Sequence, residues 1–139
     1  MKKILVTGGN SRFATALKDV NSKYLFTFRS KKQLNILSIK SIENNIKKFK
    51  PGIILHLASL SRPMIIHEKD INRSIDLNII GTSNIVKVCN KYKIKLIFFS
   101  TGYVYQGKKG NYKEDDPLLP WNKYGWSKLG AEAAVQLYD

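Results

Sequence analysis

The chain reads as an α/β domain: a mainly parallel, doubly wound sheet with helices on both faces. Three observations predict it. Short apolar runs rich in branched residues alternate with segments of helical spacing. The first run ends in Gly8-Gly9 and opens directly into a helix, the arrangement by which such a fold presents a turn to a phosphate. No internal repeat, low-complexity stretch or linker interrupts the alternation.

Met1 to Thr7 carries the first strand, an apolar run after two lysines. Helical spacing follows at Phe13, Ala16, Leu17 and Val20. Lys23 to Phe28 is the second strand, and a short extended piece lies near Gln33 to Ile36. Ser41 to Phe49 is helical, with Ile42, Ile46 and Phe49 on one face and Ser41 as the candidate N-cap. Pro51-Gly52 breaks it. Ile53 to Ala58 is a buried strand. Ile71 to Tyr92 is a long helix, with Ile71, Ile75, Ile79, Val86 and Cys89 near one face. Leu96 to Ser100 is a further strand. A polar loop from Gly107 to Pro120 leads into a last helix that carries Tyr124 and Lys128. Connection rules give the strand order 3-2-1-4-5.

The 139 residues, 43% of them hydrophobic, suffice for one domain with a real core. No apolar run is long enough to span a bilayer, and the Lys-Lys-Ile-Leu-Val opening is too short for a signal peptide. One cysteine, Cys89, makes no internal disulfide and fits a buried apolar role in a reducing cytoplasm. The net charge of +14 raises a nucleic-acid reading. The lysines are scattered, several at helix C-termini where the macrodipole favours them, and no nucleic-acid-binding motif accompanies them. His56 falls inside a buried strand and His67 has no partner at ligand spacing, so both read as structural and no metal site is expected. Glu114, Asp115 and Asp116 read as a solvated turn.

Two segments carry chemistry. Tyr124-Gly125-Trp126-Ser127-Lys128 reads Tyr-x-x-x-Lys. On a helix this spacing puts phenol and ammonium on one face. A nearby cation favours the phenolate and tunes the tyrosine for proton transfer to or from a sugar or alcohol oxygen. Gly8-Gly9-Asn10-Ser11-Arg12-Phe13-Ala14 is the second segment, a small-residue turn where the backbone can approach a pyrophosphate. Ser11 and Ala14 stand where glycines are usual. Ala14 suits close helix-to-strand packing, and the Ser11 hydroxyl is a candidate donor to a phosphate oxygen.

The ordered set Thr7-Gly8-Gly9, Leu55-His56-Leu57-Ala58-Ser59, Asn78-Ile79-Ile80-Gly81-Thr82, Ser100-Thr101-Gly102-Tyr103-Val104-Tyr105 and Tyr124 to Lys128 resembles the extended short-chain dehydrogenase/reductase superfamily, and within it the dTDP-4-dehydrorhamnose reductase branch and neighbouring nucleotide-sugar epimerases and dehydratases. The resemblance covers essentially the whole chain. It implies an NAD(P)-binding Rossmann domain over residues 1–139 that reduces a 4-keto sugar or epimerises one through a keto intermediate. Tyr124 would be the general acid, Lys128 would lower its pKa and hold the nicotinamide ribose, and Thr101 would orient the substrate oxygen. Cofactor contacts would come from Gly8, Asn10, Ser11, Arg12, Phe13, Asn35, Ile36, Leu57, Ala58, Ser59 and Asn78, with Tyr124 and Lys128. Gly102 stands where relatives often carry an acid, which counts against dehydration. After the second strand an NAD enzyme usually offers a carboxylate to the ribose; this chain has Phe28-Arg29-Ser30-Lys31-Lys32. A guanidinium is shaped for a 2′-phosphate, so Arg29 points to NADP over NAD.

Members of the superfamily continue past the Tyr-Lys helix with further strands and a substrate lobe. The chain ends at Asp139, so later strands and lobe are expected to be missing. Three readings follow: an NADP-dependent nucleotide-sugar reductase or epimerase; a module that holds a dinucleotide or a partner chain without turnover; and a basic nucleic-acid binder. By resemblance, association as a homodimer would use the helices at 71–92 and 124–138.

Overall fold

Leu5 and Val6 have no solvent exposure, and they belong to cores on opposite faces of the central strand, β1 (Lys3–Thr7). Side chains alternate along a strand, so a strand covered on both faces must be apolar throughout, as Ile4-Leu5-Val6 is. The computed structural model describes residues 2–20 and 22–138; Met1, at the expected start of this strand, lies outside them. β1 pairs in parallel with β2 (Leu25–Arg29) and with β3 (Ile53–His56), and β3 pairs in parallel with β4 (Lys95–Phe98). The sheet order is β2-β1-β3-β4.

This is the expected doubly wound order with its third strand absent among the described residues. Residues 33–36 form turns and irregular backbone instead. Gln33 and Leu34 donate back to the Ser30 carbonyl at 3.0 and 2.9 Å. Local bonds thus satisfy backbone groups that a ladder would otherwise take up, while Leu34 and Ile36 still enter the core.

Helix α1 (Arg12–Lys18) covers one face, where Ala14 meets Ile4, Val6 and Leu55. The other face is covered by α2 (Ile39–Phe49) and α5 (Gly81–Tyr92), whose Ile42, Ile46, Ile85 and Val88 surround Leu5 and Ile54. Helix α6 (Lys123–Gln136) packs beside α5. Just past its end Tyr138 donates to the Ile94 carbonyl at 2.8 Å. The N-cap of α2 is Ser38, not the expected Ser41. Ser38 has extended backbone and accepts the Ser41 N–H at 3.2 Å, while the Ser41 hydroxyl accepts from Asn35 N–H at 3.0 Å. The expected strands at 53–58 and 96–100 end at His56 and Phe98.

The expected long helix at 71–92 is not uniform. After α3 (Ile65–Lys69), α4 (Ile71–Ser74) widens into a π-helical stretch at Ile75–Ile80 before α5. Such wide turns insert a residue into the helical ladder and redirect the side chains around it. Asn78 lies in this stretch and is 1% exposed.

A buried polar chain ties the sheet to α5. The Thr7 hydroxyl oxygen accepts from Leu57 and Ala58 N–H at 3.2 and 3.1 Å. Its proton therefore goes to His56 Nδ1, 2.7 Å away. His56 Nε2–H then donates to the Thr82 hydroxyl at 3.1 Å. Complete burial pushes the His56 pKa down to about 3, with the Lys128 charge adding to the effect. Among the described residues no helix is long and apolar enough to cross a membrane.

Candidate cofactor and active site

The two motif segments both reach Phe99, just past the C-terminal end of β4: its ring packs 4.7 Å from Phe13 and its carbonyl accepts from Lys128. Gly8 turns β1 into the loop before α1 with φ +65°. A Cβ there would stand 2.8 Å from Ala58 N, and one on Gly9 would stand 2.7 Å from Arg29 N. Glycine is required because the loop threads between the ends of β3 and β2. Ser11 N–H donates to the Gly8 carbonyl at 2.8 Å. The Ser11 hydroxyl caps α1 by accepting the Ala14 N–H at 3.2 Å. Its oxygen is so occupied, and its proton remains the group a phosphate can use. Asn10, Arg12 and Phe13 are exposed around this turn.

A cavity of about 170 Å³ opens beside Gly8, lined by Lys31, Leu34, Asn35, Ile36, Ala58, Ser59 and Leu77. Five residues expected at a cofactor (Gly8, Asn35, Ile36, Ala58 and Ser59) therefore share one wall system. Lys31, Leu34 and Leu77 join them; only Lys31 had a sequence signal, its place in the basic run after β2. Arg29 is oriented elsewhere. Its guanidinium carbon lies 4.1 Å over the Phe49 ring, its buried Nε has no hydrogen-bond partner, and it lines a separate cavity of about 270 Å³ with Gln33, Asn44, Asn45 and Lys48. The cation at the Gly8 cavity is Lys31. Leu57 reaches this region through its backbone, held by Thr7.

Asn78 is held by protein partners. Its Oδ1 accepts Leu60 N–H at 2.7 Å, and its Nδ2 donates to the Leu60 carbonyl at 2.9 Å and to the Ser127 hydroxyl at 2.8 Å. Both amide protons are used and the residue is buried, so in this structure its side chain links the loop after β3 to α6. The Ser127 hydroxyl in turn donates to the Tyr124 carbonyl at 2.8 Å.

Tyr124 and Lys128 lie on the buried face of α6, at 9% and 3% exposure. The N-cap Asn122 fixes the start of the helix by accepting Gly125 N–H at 2.7 Å. Burial raises the Tyr124 phenol above the ordinary tyrosine value, partly opposed by hydrogen bonding from the Thr101 hydroxyl and, more weakly, by the Arg62 charge. Lys128 donates to the Phe99 carbonyl at 2.6 Å and lies 4.2 Å over the Phe98 ring. Burial pushes its pKa down to about 8, with Glu132 opposing. The expected lowering of the Tyr124 pKa by Lys128 is therefore not what governs the phenol in this structure: desolvation dominates, and the ammonium is turned to a backbone carbonyl. Thr101 follows β4, and its hydroxyl accepts Tyr103 N–H at 3.3 Å.

Two aromatic rings flank that of Tyr124, one from the Ser100–Tyr105 run and one from a histidine read as structural. Tyr103 stands 5.8 Å from the Tyr124 ring and His67 5.0 Å from it. His67 is 1% exposed, with Nδ1 2.7 Å from the Ser74 hydroxyl. No spacing in the sequence marks these contacts, because they join loops and short helices far apart in the chain. Asp116 is tied to Lys109 at 2.9 Å and accepts Lys113 N–H at 2.8 Å, which makes the acidic loop a locally closed turn.

Comparison with known proteins identifies the family and the fold. The family described as RmlD substrate binding domain matches residues 1–139. Methionine adenosyltransferase 2 subunit beta of Xenopus laevis is 36% identical over 102 residues, covering 73% of this chain and 30% of that protein. Spore coat polysaccharide biosynthesis protein SpsK of Bacillus subtilis (strain 168) is 29% identical, covering 99% of this chain and 49% of that protein. Among solved structures, dTDP-4-dehydrorhamnose reductase from Bacillus anthracis in complex with NADP superposes with a TM-score of 0.90 at 28% identity, over 99% of this chain and 50% of that one. The reductase from Yersinia enterocolitica gives 0.80 at 31%, over 99% and 49%. The matches thus span about a third to a half of these proteins' lengths.

Proposed function

The chain belongs to the RmlD substrate binding domain family, and from that membership we propose that residues 1–139 form the NAD(P)-binding domain of a cytoplasmic oxidoreductase that reduces a 4-keto nucleotide sugar. The observation that carries this reading is Lys128. A buried lysine whose direct contacts are a carbonyl and an aromatic ring is costly to keep charged, and it sits one helical turn from a buried tyrosine beside Thr101. Such an arrangement is retained where the charge acts on chemistry.

The residues fit a dinucleotide. Gly8 and Gly9 leave no room for a Cβ, and the adjoining cavity is apolar with Asn35, Ser59 and Lys31 at its rim. When bound, the nicotinamide cofactor supplies a hydride to the carbonyl carbon. Tyr124, kept protonated by burial, gives its proton to the carbonyl oxygen; Thr101 orients that oxygen; Lys128 stabilises the phenolate that remains. NADP is preferred, with Lys31 at the cavity and Arg29 at the end of β2 as the candidate positive charges for a 2′-phosphate. The substrate partner is a nucleotide sugar; neither specific nucleic acid nor membrane is a partner in this reading.

Calorimetry with NADPH and NADH tests the cofactor. NADPH is expected to bind more tightly, and Lys31→Ala and Arg29→Ala to reduce that preference; equal or tighter NADH binding by the unaltered chain overturns it. In a longer chain containing these residues, Tyr124→Phe should abolish reduction of a dTDP-4-keto sugar while leaving NADPH affinity nearly intact; residues 1–139 alone are expected to show little or no turnover. Activity should decline above about pH 8, as Lys128 loses its proton. Undiminished turnover in Tyr124→Phe would remove the catalytic assignment.

A second reading draws support from the 36% identity to a subunit of another enzyme: a dinucleotide-holding domain that binds a partner chain without turnover. NADPH binding with no reduction of any keto sugar nucleotide would favour it. Epimerisation remains the alternative chemistry for the same Tyr124–Lys128 pair.

A further inference from the structure

Trp121 is the most exposed aromatic side chain among the described residues, at 64%, yet it is firmly placed. Its ring packs 5.7 Å from Tyr103. Gly107, at φ +76°, brings the loop backbone against its pyrrole edge, where an added Cβ would stand 3.6 Å from Cδ1 and Nε1. Trp121 also directly precedes Asn122, the N-cap of α6. Tyr103 in turn stands 5.8 Å from Tyr124. The three rings are thus in unbroken contact from an open indole face to the buried phenol. An indole held on two sides and bare on the third is a ready surface for a ligand lying across the Tyr124 site.

We infer that Trp121 is a substrate-reading residue: with Tyr103 it forms an aromatic wall that takes the C–H face of the pyranose ring of a nucleotide sugar. This rests on the reading of Tyr124 as proton donor to such a substrate. A pyranose presents several C–H bonds on one face, with small positive partial charge, and an aromatic face carries the complementary negative quadrupole. Covering the indole also removes apolar area from water. The indole N–H keeps one donor for a sugar hydroxyl. Tyr103 and Trp121 are tilted by 58° to each other, so they wrap a ring rather than extend a flat platform.

The test uses the full chain. Trp126→Phe leaves Trp121 as the sole indole, and its fluorescence is followed as dTDP-glucose or dTDP is added, with occupancy measured by calorimetry. We expect dTDP-glucose to change the emission and dTDP at equal occupancy to leave it unchanged. Trp121→Ala should weaken dTDP-glucose binding by up to about tenfold, the order of one aromatic contact. Trp121→Tyr should recover most of that loss, and NADPH affinity should stay as it was. An equal change with dTDP would put the base on the indole and overturn the pyranose assignment. Binding of dTDP-glucose without any change at Trp121 would overturn the inference alone. NADPH binding with no dTDP-glucose binding would overturn the nucleotide-sugar reading, and the inference with it.

Discussion

A single buried histidine sets the expected acid sensitivity of this domain. His56 is fully enclosed between Thr7 and Thr82, with its folded pKa near 3 against an ordinary 6.5. The folded value lies below the unfolded one, so the unfolded chain binds the proton first as pH falls. The stabilisation from the neutral ring is complete above about pH 6.5 and is lost on the way down to 3. In that window this group alone should remove about 1.4 kcal/mol of stability per pH unit. Denaturant melts between pH 7 and 4 should show the unaltered chain weakening more steeply than His56→Gln; parallel slopes would refute the account. His67 is shifted in the same direction, by burial first. The placing of Tyr124 and Lys128 on one face of α6 was legible in the sequence because it depends on spacing within a helix. The exchange of Arg29 for Lys31 at the cavity was not legible, because it depends on the Phe49 ring, supplied by another element. Asn78 was legible as a special residue but not as a saturated one, since its partners lie 18 and 49 positions away.

At the scale of elements, helix α6 owes its placement to Gly125. A Cβ at that position would clash with the Tyr103 carbonyl and stand 2.9 Å from Pro120 Cβ. Backbone cannot yield as a flexible side chain does, so Gly125→Ala should lower stability by roughly 1–3 kcal/mol, despite alanine's higher helix propensity. Thermal melting checks it, and a rise in Tm would show that α6 can shift freely. Gly130 offers the contrast, because an added Cβ there would meet only the Ile79 side chain. The strands β1 to β4 and the helices α1, α2, α5 and α6 were all readable from apolar runs and spacing. The piece at 33–36 misled, because buried Leu34 and Ile36 alternate as a strand would while local turns hold their backbone. The π-helical stretch at Ile75–Ile80 leaves no mark in an apolar pattern that remains helical on either side of it.

For the whole molecule, the open question is what faces the outer surface of α4, the π stretch and α6. Ile71, Ile75 and Trp126 are exposed there, around a groove of about 310 Å³ that also reaches Ile79 and Lys123. A second copy presenting the same face is the expected partner. Sedimentation should show a dimer at high micromolar concentration, and Ile75→Glu should dissociate it; a clean monomer of the unaltered chain would count against the interface. The same region contains the bonds by which Asn78 holds Leu60 and Ser127, and by which Ser127 holds the Tyr124 carbonyl. These three hydrogen bonds in series run from Leu60, next to Ser59 of the Gly8 cavity, to the backbone carbonyl of Tyr124. A ligand that displaces the Ser59–Leu60 loop must therefore tug on the helix turn bearing the phenol. The loop beside the Gly8 cavity and the first turn of α6 are in this way braced against one another through a single buried amide.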